Sequence, residues 1–425
     1  MAPEIIGLLI LAVSVVLFIT RPIPNAATAC LGCLAFALAG ICTIDEAFSG
    51  FSNSTVLLMF GMMVVGIAMM DTGAANLIGK YVAKVSGGRE KMFILLAGIV
   101  SVLLSTFLSN TAVIAIFLPI IASVSRSNPD MNRKNLTLPV TLGAMFGGVC
   151  TLVGSTPQLT ANGILKEMTG EELKMFDFIL PGIVLTVIYI AFVLTIGHRI
   201  GVGVWGNVKS DNDEKETVAS QNDEIVIDKR KLITMVVIFV FTIVMFIGAW
   251  IPTATTAVIA AIMCIITKST NQKSVIKNMD WSVVFVLAGC LGLATGLTKS
   301  GAGQMMSDAL AKIISPDTPP LAIFAIFVVA TIIISNFITN STAVVMVLPI
   351  ALALCNSQGL NVIPFTLGIV YAANLTFSTP LANAQTAMTL VAGYKFSDYI
   401  KYTWLLDILV LAGIVISVPL FFPLV

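Results

Sequence analysis

Two short polar motifs, each inside a long apolar segment, carry side chains that could bind a small ion. Residues 105–111 read STFLSNT and residues 335–341 read SNFITNS, so hydroxyl groups and an Asn amide recur at the same spacing. Hydroxyl, amide and backbone oxygens are hard ligands suited to Na⁺. The two motifs therefore predict cation binding by oxygen atoms at two places in the chain.

Two further motifs place a proline inside an apolar segment. Residues 151–158 read TLVGSTPQ and residues 376–380 read TFSTP. Proline removes a backbone donor and disfavours the helical conformation of the preceding residue, so both segments should break here, although an isolated Ser-Thr-Pro could be a simple kink. Non-helical backbone at membrane depth lines a cavity or is buried in protein, where free carbonyls can hold a cation and helix N-termini an anion.

None of these four motifs contains a charged residue. An anion bound between them would be neutralised by helix N-termini and by cations bound beside it. Anion binding would then depend on cation binding, which is the physical basis of coupled symport.

The elements that position these motifs are predicted to be membrane helices. Of 425 residues, 57% are hydrophobic and 11% charged, with a mean hydropathy of +1.00, which excludes a nucleic-acid binder and a disordered chain. The first apolar run lacks the features of a secretory signal, so we expect it to be a retained span. About 20 apolar residues cross a bilayer, and we expect ten spans, near residues 4–20, 26–42, 54–71, 136–168, 175–200, 232–250, 252–268, 281–297, 362–389 and 399–425.

Segments 92–125 and 321–357 are each too long for one helix and carry the first pair of polar motifs in the middle. In the first segment the legs flanking the motif are expected to be 17 and 14 residues long, or about 21–26 Å as helix, short of a core of about 30 Å. We interpret both segments as re-entrant hairpins. Two short spans joined by a surface turn are the alternative.

The two halves of the chain are internal repeats. Motifs that begin at positions 72, 105, 118, 138 and 155 recur in the same order at positions 300, 335, 348, 363 and 378. We predict a first repeat at 1–205 and a second at 232–425, each with five spans and one hairpin, joined by a polar linker at 206–231. Because five is odd, the second repeat should be inverted in the membrane, a transporter signature.

The positions of the basic residues test this topology. Of the 23 Lys and Arg residues, 19 fall on one side of the predicted membrane and four, Lys166, Lys174, Lys299 and Lys312, fall on the other. The richer side is cytoplasmic by the positive-inside rule. The linker is then cytoplasmic, both termini are extracellular, and the first hairpin opens to the cytoplasm and the second to the exterior.

At these motifs the sequence resembles the divalent anion/sodium symporter (DASS) family of the ion transporter superfamily, whose members carry two Ser-Asn-Thr motifs at oppositely facing hairpin tips. The resemblance covers nearly the whole chain. It implies a homodimer with a scaffold and a mobile transport domain, which moves Na⁺ with di- or tricarboxylates such as succinate or citrate, or with sulfate, by an elevator-type mechanism.

The resemblance also implies the site residues. At least two sodium ions would bind, one at Ser105, Ser109, Asn110 and Gly154 and the other at Ser335, Ile338, Asn340 and Phe377. The substrate would meet Asn110, Thr111, Ser155, Asn340, Ser341 and Ser378.

The sequence departs from the family pattern at two points. The second triad is Thr339-Asn340-Ser341, a change that keeps its hydroxyls. The usual Pro-Pro-Asn after each break is replaced by residues 156–158 (TPQ) and 379–381 (TPL), which puts the identity of the substrate in doubt.

The remaining polar residues have structural interpretations. We interpret the seven cysteines as small core residues and His198 as an interfacial residue. Asp407 could be a proton site, but we favour a structural role because Lys401 and Tyr402 are one to two turns away. Segments 74–86 and 302–314 are expected to be interfacial helices or plain loop helices.

Other function classes make different predictions. An anion exchanger or a proton-coupled carrier would transport without a Na⁺ gradient. A channel would lack saturable counterflow. A membrane enzyme would need a catalytic cluster, and the single His and the absence of an intramembrane carboxylate pair argue against it.

Overall fold

The computed structural model describes residues 2–20, 22–128, 131–205, 228–306, 318–379 and 383–425. These residues form helices, turns and loops and contain no β-strand. Eight helices in the described part of the chain are long and apolar enough to cross a membrane. The predicted all-helical, polytopic membrane fold is therefore confirmed.

The first half contains eleven described α-helices, several of which begin at a polar cap. Asn53, Ser109 and Asn132 each accept a backbone N–H in the first turn of the following helix, which satisfies a donor that the helix leaves free. The helices are α1 (Pro3–Thr20), α2 (Asn25–Leu38), α3 (Ile44–Ala47), α4 (Ser54–Asp71), α5 (Ala74–Val85), α6 (Glu90–Ser105), α7 (Asn110–Ser127), α8 (Arg133–Gly148), α9 (Thr156–Thr169), α10 (Ile179–Phe192) and α11 (His198–Trp205).

The second half contains nine further α-helices with described bounds. Asp228, Asp280 and Asn361 cap three of its helices in the same way. Its described helices are α12 (Lys229–Gly248), α13 (Thr253–Ile266), α14 (Gln272–Asn278), α15 (Trp281–Ser300), α16 (Pro320–Ser335), α17 (Asn340–Gln358), α18 (Val362–Asn374), α19 (Ala384–Met388) and α20 (Phe396–Phe421).

Two helix–helix contacts between the halves have the same spacing in the sequence. Helix α4 packs against α13, and α15 packs against α2. A Cβ at Gly61 would lie 2.6 Å from the Ala257 backbone oxygen, and a Cβ at Gly289 would lie 2.6 Å from the Ala29 Cβ. Gly289 follows Gly61, and Ala257 follows Ala29, by the same interval that separates the first pair of repeated motifs (289 − 61 = 257 − 29 = 300 − 72). Small residues let these two helix pairs approach closely, and the two contacts share the spacing of the repeated motifs.

Each hairpin segment folds as two helices joined at its polar motif. Helices α6 and α7 have 16 and 18 residues, and α16 and α17 have 16 and 19. The shorter second leg expected in the first segment is wrong, because Asn110 already lies in the first turn of α7 and the helix continues to Ser127. The four legs are about 24–29 Å long. Re-entrance therefore stays a prediction.

Both proline motifs interrupt a helix, as predicted. Helix α8 ends at Gly148 and α9 begins at Thr156, with Pro157 in its first turn. Helix α18 ends at Asn374 and α19 begins at Ala384. We call residues 149–155 the first break and residues 375–379 and 383 the second break.

Two predicted segments lie partly or wholly outside the described residues. Residues 206–227 of the linker are outside them, and so is most of segment 302–314. The equivalent segment 74–86 is helical as expected, as α5.

Candidate functional site

A cavity of about 880 Å³ lies between the two hairpin tips and the two breaks. Five of the six predicted substrate residues line it: Asn110, Thr111, Ser155, Asn340 and Ser341. Ser109 and Gly154 of the predicted sodium sites line it too. The fold therefore brings together motifs from opposite halves of the sequence.

The two tips have the same internal hydrogen bond. Ser105 donates to the side-chain oxygen of Asn110 at 2.6 Å, and Ser335 donates to that of Asn340 at 3.2 Å. Both serines are fully buried. Each Asn is the first residue of its helix, so each tip also presents a helix N-terminus, where an anion is favoured.

The tips differ in how that N-terminus is capped. Ser109 accepts the backbone N–H of Ala112 at 3.3 Å, whereas the Thr339 hydroxyl lies 2.7 Å from that of Thr342 and caps no backbone N–H. The first turn of α17 therefore has one more backbone donor for a ligand than that of α7.

The first predicted sodium site depends on two glycines. A Cβ at Gly148 would overlap the Asn110 side-chain oxygen, and a Cβ at Gly154 would overlap the Gly148 carbonyl oxygen. Only glycine permits this approach, which groups the Asn110 amide with backbone oxygens of the first break. Gly148 was not predicted as a site residue, because its role depends on a contact with a different helix.

The second predicted sodium site is also rich in oxygen atoms. The single Ser335 hydroxyl proton is shared between the Asn340 side-chain oxygen and the Ala373 carbonyl, which lies 2.8 Å from the Ser335 hydroxyl. The Thr376 hydroxyl lies 3.5 Å from the Ser335 hydroxyl. Asn383 donates to the Thr376 carbonyl at 2.7 Å. Ile338 and Phe377, predicted to contribute backbone oxygens, are buried beside these residues.

Gln158 joins the two breaks behind the cavity wall. Its amide nitrogen donates to the Gly148 carbonyl at 2.5 Å, and its amide oxygen accepts from Asn374 at 3.2 Å. The Ser155 hydroxyl is shared between the side-chain oxygens of Gln158 and of Asn374. Gln158 is fully buried. The sequence marked Gln158 only as a departure from the family pattern, and Asn374 was missed.

Ser378 lies away from the cavity. Its hydroxyl donates to the Asp407 carboxylate and lies 3.3 Å from the Thr403 hydroxyl. The residues that line the cavity here are instead Asn374 at the end of α18, Asn383 of the second break and Gln385 of α19. The proline motif could not give this orientation, because it does not say which side of the break faces α20.

The electrostatics of the cavity favour a cation. Its lining within the described residues includes no Lys or Arg but includes Asp71 and Asp280. Asp71 accepts a hydrogen bond from Thr270 at 2.6 Å, and Asp280 caps α15. The described residues contain no cluster of three His, Cys, Asp or Glu for a transition metal. An anion in this cavity would need compensating cations, for which hydroxyl, amide and carbonyl oxygens are available.

The sequence profile of the citrate transporter family (CitMHS) matches residues 15–341 and 319–425, nearly the whole chain. The chain belongs to the citrate transporter family. It is therefore a multi-pass membrane transporter, and the prediction that it is not an enzyme is confirmed.

Several curated proteins are similar to this citrate transporter family member along most of its length. The uncharacterized transporter YfbS of Escherichia coli is 22% identical, over 97% of this chain and 98% of its own. The sodium-dependent dicarboxylate transporters SdcS of Staphylococcus saprophyticus and Staphylococcus aureus are 24% and 22% identical, over 91% and 88% of this chain and 80% and 78% of theirs.

Two solved transporters share the fold. The YdaH transporter of Alcanivorax borkumensis superposes with a TM-score of 0.67 at 12% identity, over 99% of this chain and 98% of its own. MtrF of Neisseria gonorrhoeae superposes with a TM-score of 0.59 at 12% identity, over 98% and 95%. At this identity the likeness concerns the fold alone.

Proposed function

We propose that this member of the citrate transporter family is a sodium-coupled symporter of small di- or tricarboxylates and belongs to the DASS branch. The observation that carries the proposal is the matched Ser–Asn pair at two helix N-termini across one cavity. The SdcS relatives are sodium-dependent dicarboxylate transporters by name, which makes sodium the expected cation and dicarboxylates the expected substrates.

The chemistry follows from the lining of the cavity. Backbone N–H groups at the N-termini of α7, α9 and α17 would bind the carboxylates, and the side chains of Asn110, Thr111, Asn340 and Ser341 would orient them. Ser155 would contribute through its lone pairs, because its proton is held by internal acceptors. Sodium ions bound near Asn110 and Asn340 would supply the positive charge that the lining lacks.

We further propose that the two repeats are inverted, that the hairpins are re-entrant and that access alternates by an elevator-type movement in a homodimer. The reciprocal packing of α4 on α13 and α15 on α2 supports a two-fold relation between the halves. In this topology both termini are extracellular and the linker is cytoplasmic. Cysteines introduced near the termini and in the linker test the orientation. Their labelling is compared from the outside of intact cells and from the inside of opened ones.

Uptake into proteoliposomes tests the coupling. Labelled succinate and citrate are offered under an inward Na⁺ gradient and under a matched K⁺ gradient, with Asn110→Ala, Asn340→Ala and the control Asn361→Ala, which removes an amide that caps α18 outside the cavity lining. We expect Na⁺-dependent uptake that both tip variants lose and the control keeps. Uptake that is equal in K⁺, or that requires internal anion, would replace symport with a different carrier mechanism.

A further inference from the structure

One face of α4 lines the candidate site with methionine side chains. Six apolar residues of α4 line the cavity, and they follow one another at the three- and four-residue intervals of a single helix face. These residues are Met59, Met62, Met63, Gly66, Ile67 and Met70. We call them the methionine face.

The methionine face adjoins the first hairpin tip. A Cβ at Gly66 would lie 3.8 Å from the Cδ2 atom of Leu108, which directly precedes Ser109 and Asn110 in the chain. The N-terminus of α7, which we propose binds a carboxylate, is therefore beside the face. A ligand held at the tips by its carboxylates would have methionine side chains next to the rest of its body.

The charges around the cavity disfavour a third carboxylate on the ligand. Among the described residues the lining includes Asp71 and Asp280 and neither Lys nor Arg. Each carboxylate of a ligand needs a helix N-terminus or a bound cation, and each further negative charge is repelled by the two aspartates. The lining therefore suits a ligand with two carboxylates better than a ligand with three.

The cavity also has space for more than two carboxylates and a short carbon chain. Its volume of about 880 Å³ falls within the range of about 300–1,000 Å³ for pockets that enclose drug-sized ligands, which are much larger than succinate. Methionine is unbranched and polarizable, so its side chain adapts to apolar groups of different shape. The space beside the methionine face can therefore receive an apolar group.

We propose that the cavity prefers dicarboxylates that carry an apolar substituent, and that the methionine face binds this substituent. The inference rests on the proposed function, because it takes the carboxylates to bind at the tips. An apolar group against the face is removed from water, whereas a hydroxyl group in the same place loses hydrogen bonds to water. Gly66 determines the specificity, since its lack of a side chain leaves space beside the first tip.

A series of substituted succinates tests this preference. Methylsuccinate, propylsuccinate and malate share the two carboxylates of succinate and differ from it in one substituent, so each is offered as an inhibitor of labelled-succinate uptake into proteoliposomes. We expect inhibition to strengthen by up to about fourfold for each CH₂ group that reaches the methionine face. Malate, whose substituent is a hydroxyl group, should inhibit less than methylsuccinate. Alkyl succinates that inhibit no better than succinate would overturn the proposal.

Gly66→Leu tests where the substituent binds. A Cβ at this position meets no atom closer than 3.8 Å, so the helix can accept it, and the rest of the side chain would occupy the space beside the tip. The half-inhibitory concentration of propylsuccinate relative to that of succinate should rise by more than about tenfold, as when two CH₂ groups lose their contacts. Met69→Leu changes a buried residue of α4 outside the lining and should leave this ratio unchanged. An unchanged ratio in Gly66→Leu would refute binding at the face.

A second variant changes the chemistry of the face and keeps its shape. Met63→Gln has a side chain of similar length that is polar, so it should weaken inhibition by propylsuccinate more than inhibition by malate. Equal weakening for both acids would show that the face does not bind the substituent.

Thermal unfolding of the purified protein separates this inference from the proposed function. A ligand that binds the folded state raises the unfolding midpoint, and propylsuccinate should raise it more than succinate does in the unmodified protein but not in Gly66→Leu. Absence of uptake of both acids under every cation gradient would refute the proposed function, while the unfolding midpoints would still report on the methionine face. Equal midpoints with the two acids in the unmodified protein would overturn the inference.

Discussion

The Ser155 hydroxyl lies 2.8 Å from the side-chain oxygen of Asn374, although the two residues are 219 positions apart. This contact joins the first break to the second at the wall of the cavity. The buried amide of Gln158 completes the connection, because it bonds both Asn374 and the Gly148 carbonyl. The two halves of the candidate site therefore position each other.

Substitution of Gln158 should weaken this connection. Gln158→Leu keeps much of the volume but removes the Gln158 donor of the buried Gly148 carbonyl and one of the two acceptors of the Asn374 amide, at a cost of about 1–3 kcal/mol. We expect a lower thermal unfolding midpoint in detergent and reduced uptake. Gln385→Leu, which changes a half-buried amide at the cavity, should leave the midpoint unchanged. Equal midpoints for both variants would show that the connection contributes little to stability.

Gly148→Ala should disturb the first cation site. The added methyl group would overlap the Asn110 side-chain oxygen and force the amide out of its position. We expect uptake to fall by more than about tenfold, which corresponds to about 1.4 kcal/mol. Gly203→Ala is the matched control, because its Cβ would meet no atom within 4 Å. Uptake by Gly148→Ala close to the unmodified level would contradict the role assigned to Asn110.

The hairpin tips should exchange environments during transport. Phe107 beside the first tip packs on Phe239 of α12 at 5.7 Å between ring centroids, whereas its repeat equivalent Phe337 is 70% exposed. If the repeats alternate roles, Phe337 becomes covered in the other state. In a cysteine-free background, maleimide labelling of Phe337→Cys should slow when Na⁺ and substrate change the population of states. Labelling at one constant rate under all conditions would argue against the exchange.

The exposed Glu46–Lys299 ion pair should contribute a pH-dependent part of the stability. The hydrogen bond from Lys299 lowers the pKa of Glu46, with a further contribution from the Thr43 backbone. A carboxyl group whose pKa is lower when folded stabilises the protein above its unfolded pKa of about 4.3 and loses this contribution as the pH falls through the folded value. The difference in unfolding midpoint between the unmodified protein and Glu46→Gln should therefore disappear in acid and shrink in high salt. A difference that persists in acid would show that charge is not its source.

Much of the site could be predicted from local sequence. Hydroxyl and amide side chains in a charge-free apolar segment, and prolines inside predicted helices, have consequences that do not depend on distant contacts. Helix α9 therefore begins one residue before Pro157, and both Asn residues begin the helices that face the cavity.

Other assignments failed or were missed because they depend on contacts between distant segments. Ser378 and Ser155 occupy equivalent positions in the two motifs, yet one faces Asp407 and the other faces the cavity. Two copies of one sequence pattern can differ in this way because their neighbours differ. Asp71 and Asp280 illustrate the same point, since neither belongs to a polar motif and both line the cavity.

The sequence by itself determined the class of protein, the repeat, and the residue types at the tips and breaks, because hydropathy, proline geometry and hydrogen-bonding capacity are properties of short segments. Only the tertiary structure decided that Gln158 and Asn374 join the breaks, that Gly148 makes room for Asn110, and that no ion pair among the described residues includes Asp407. These relations depend on which helices pack together, and close packing between segments from the two halves is set by the whole chain.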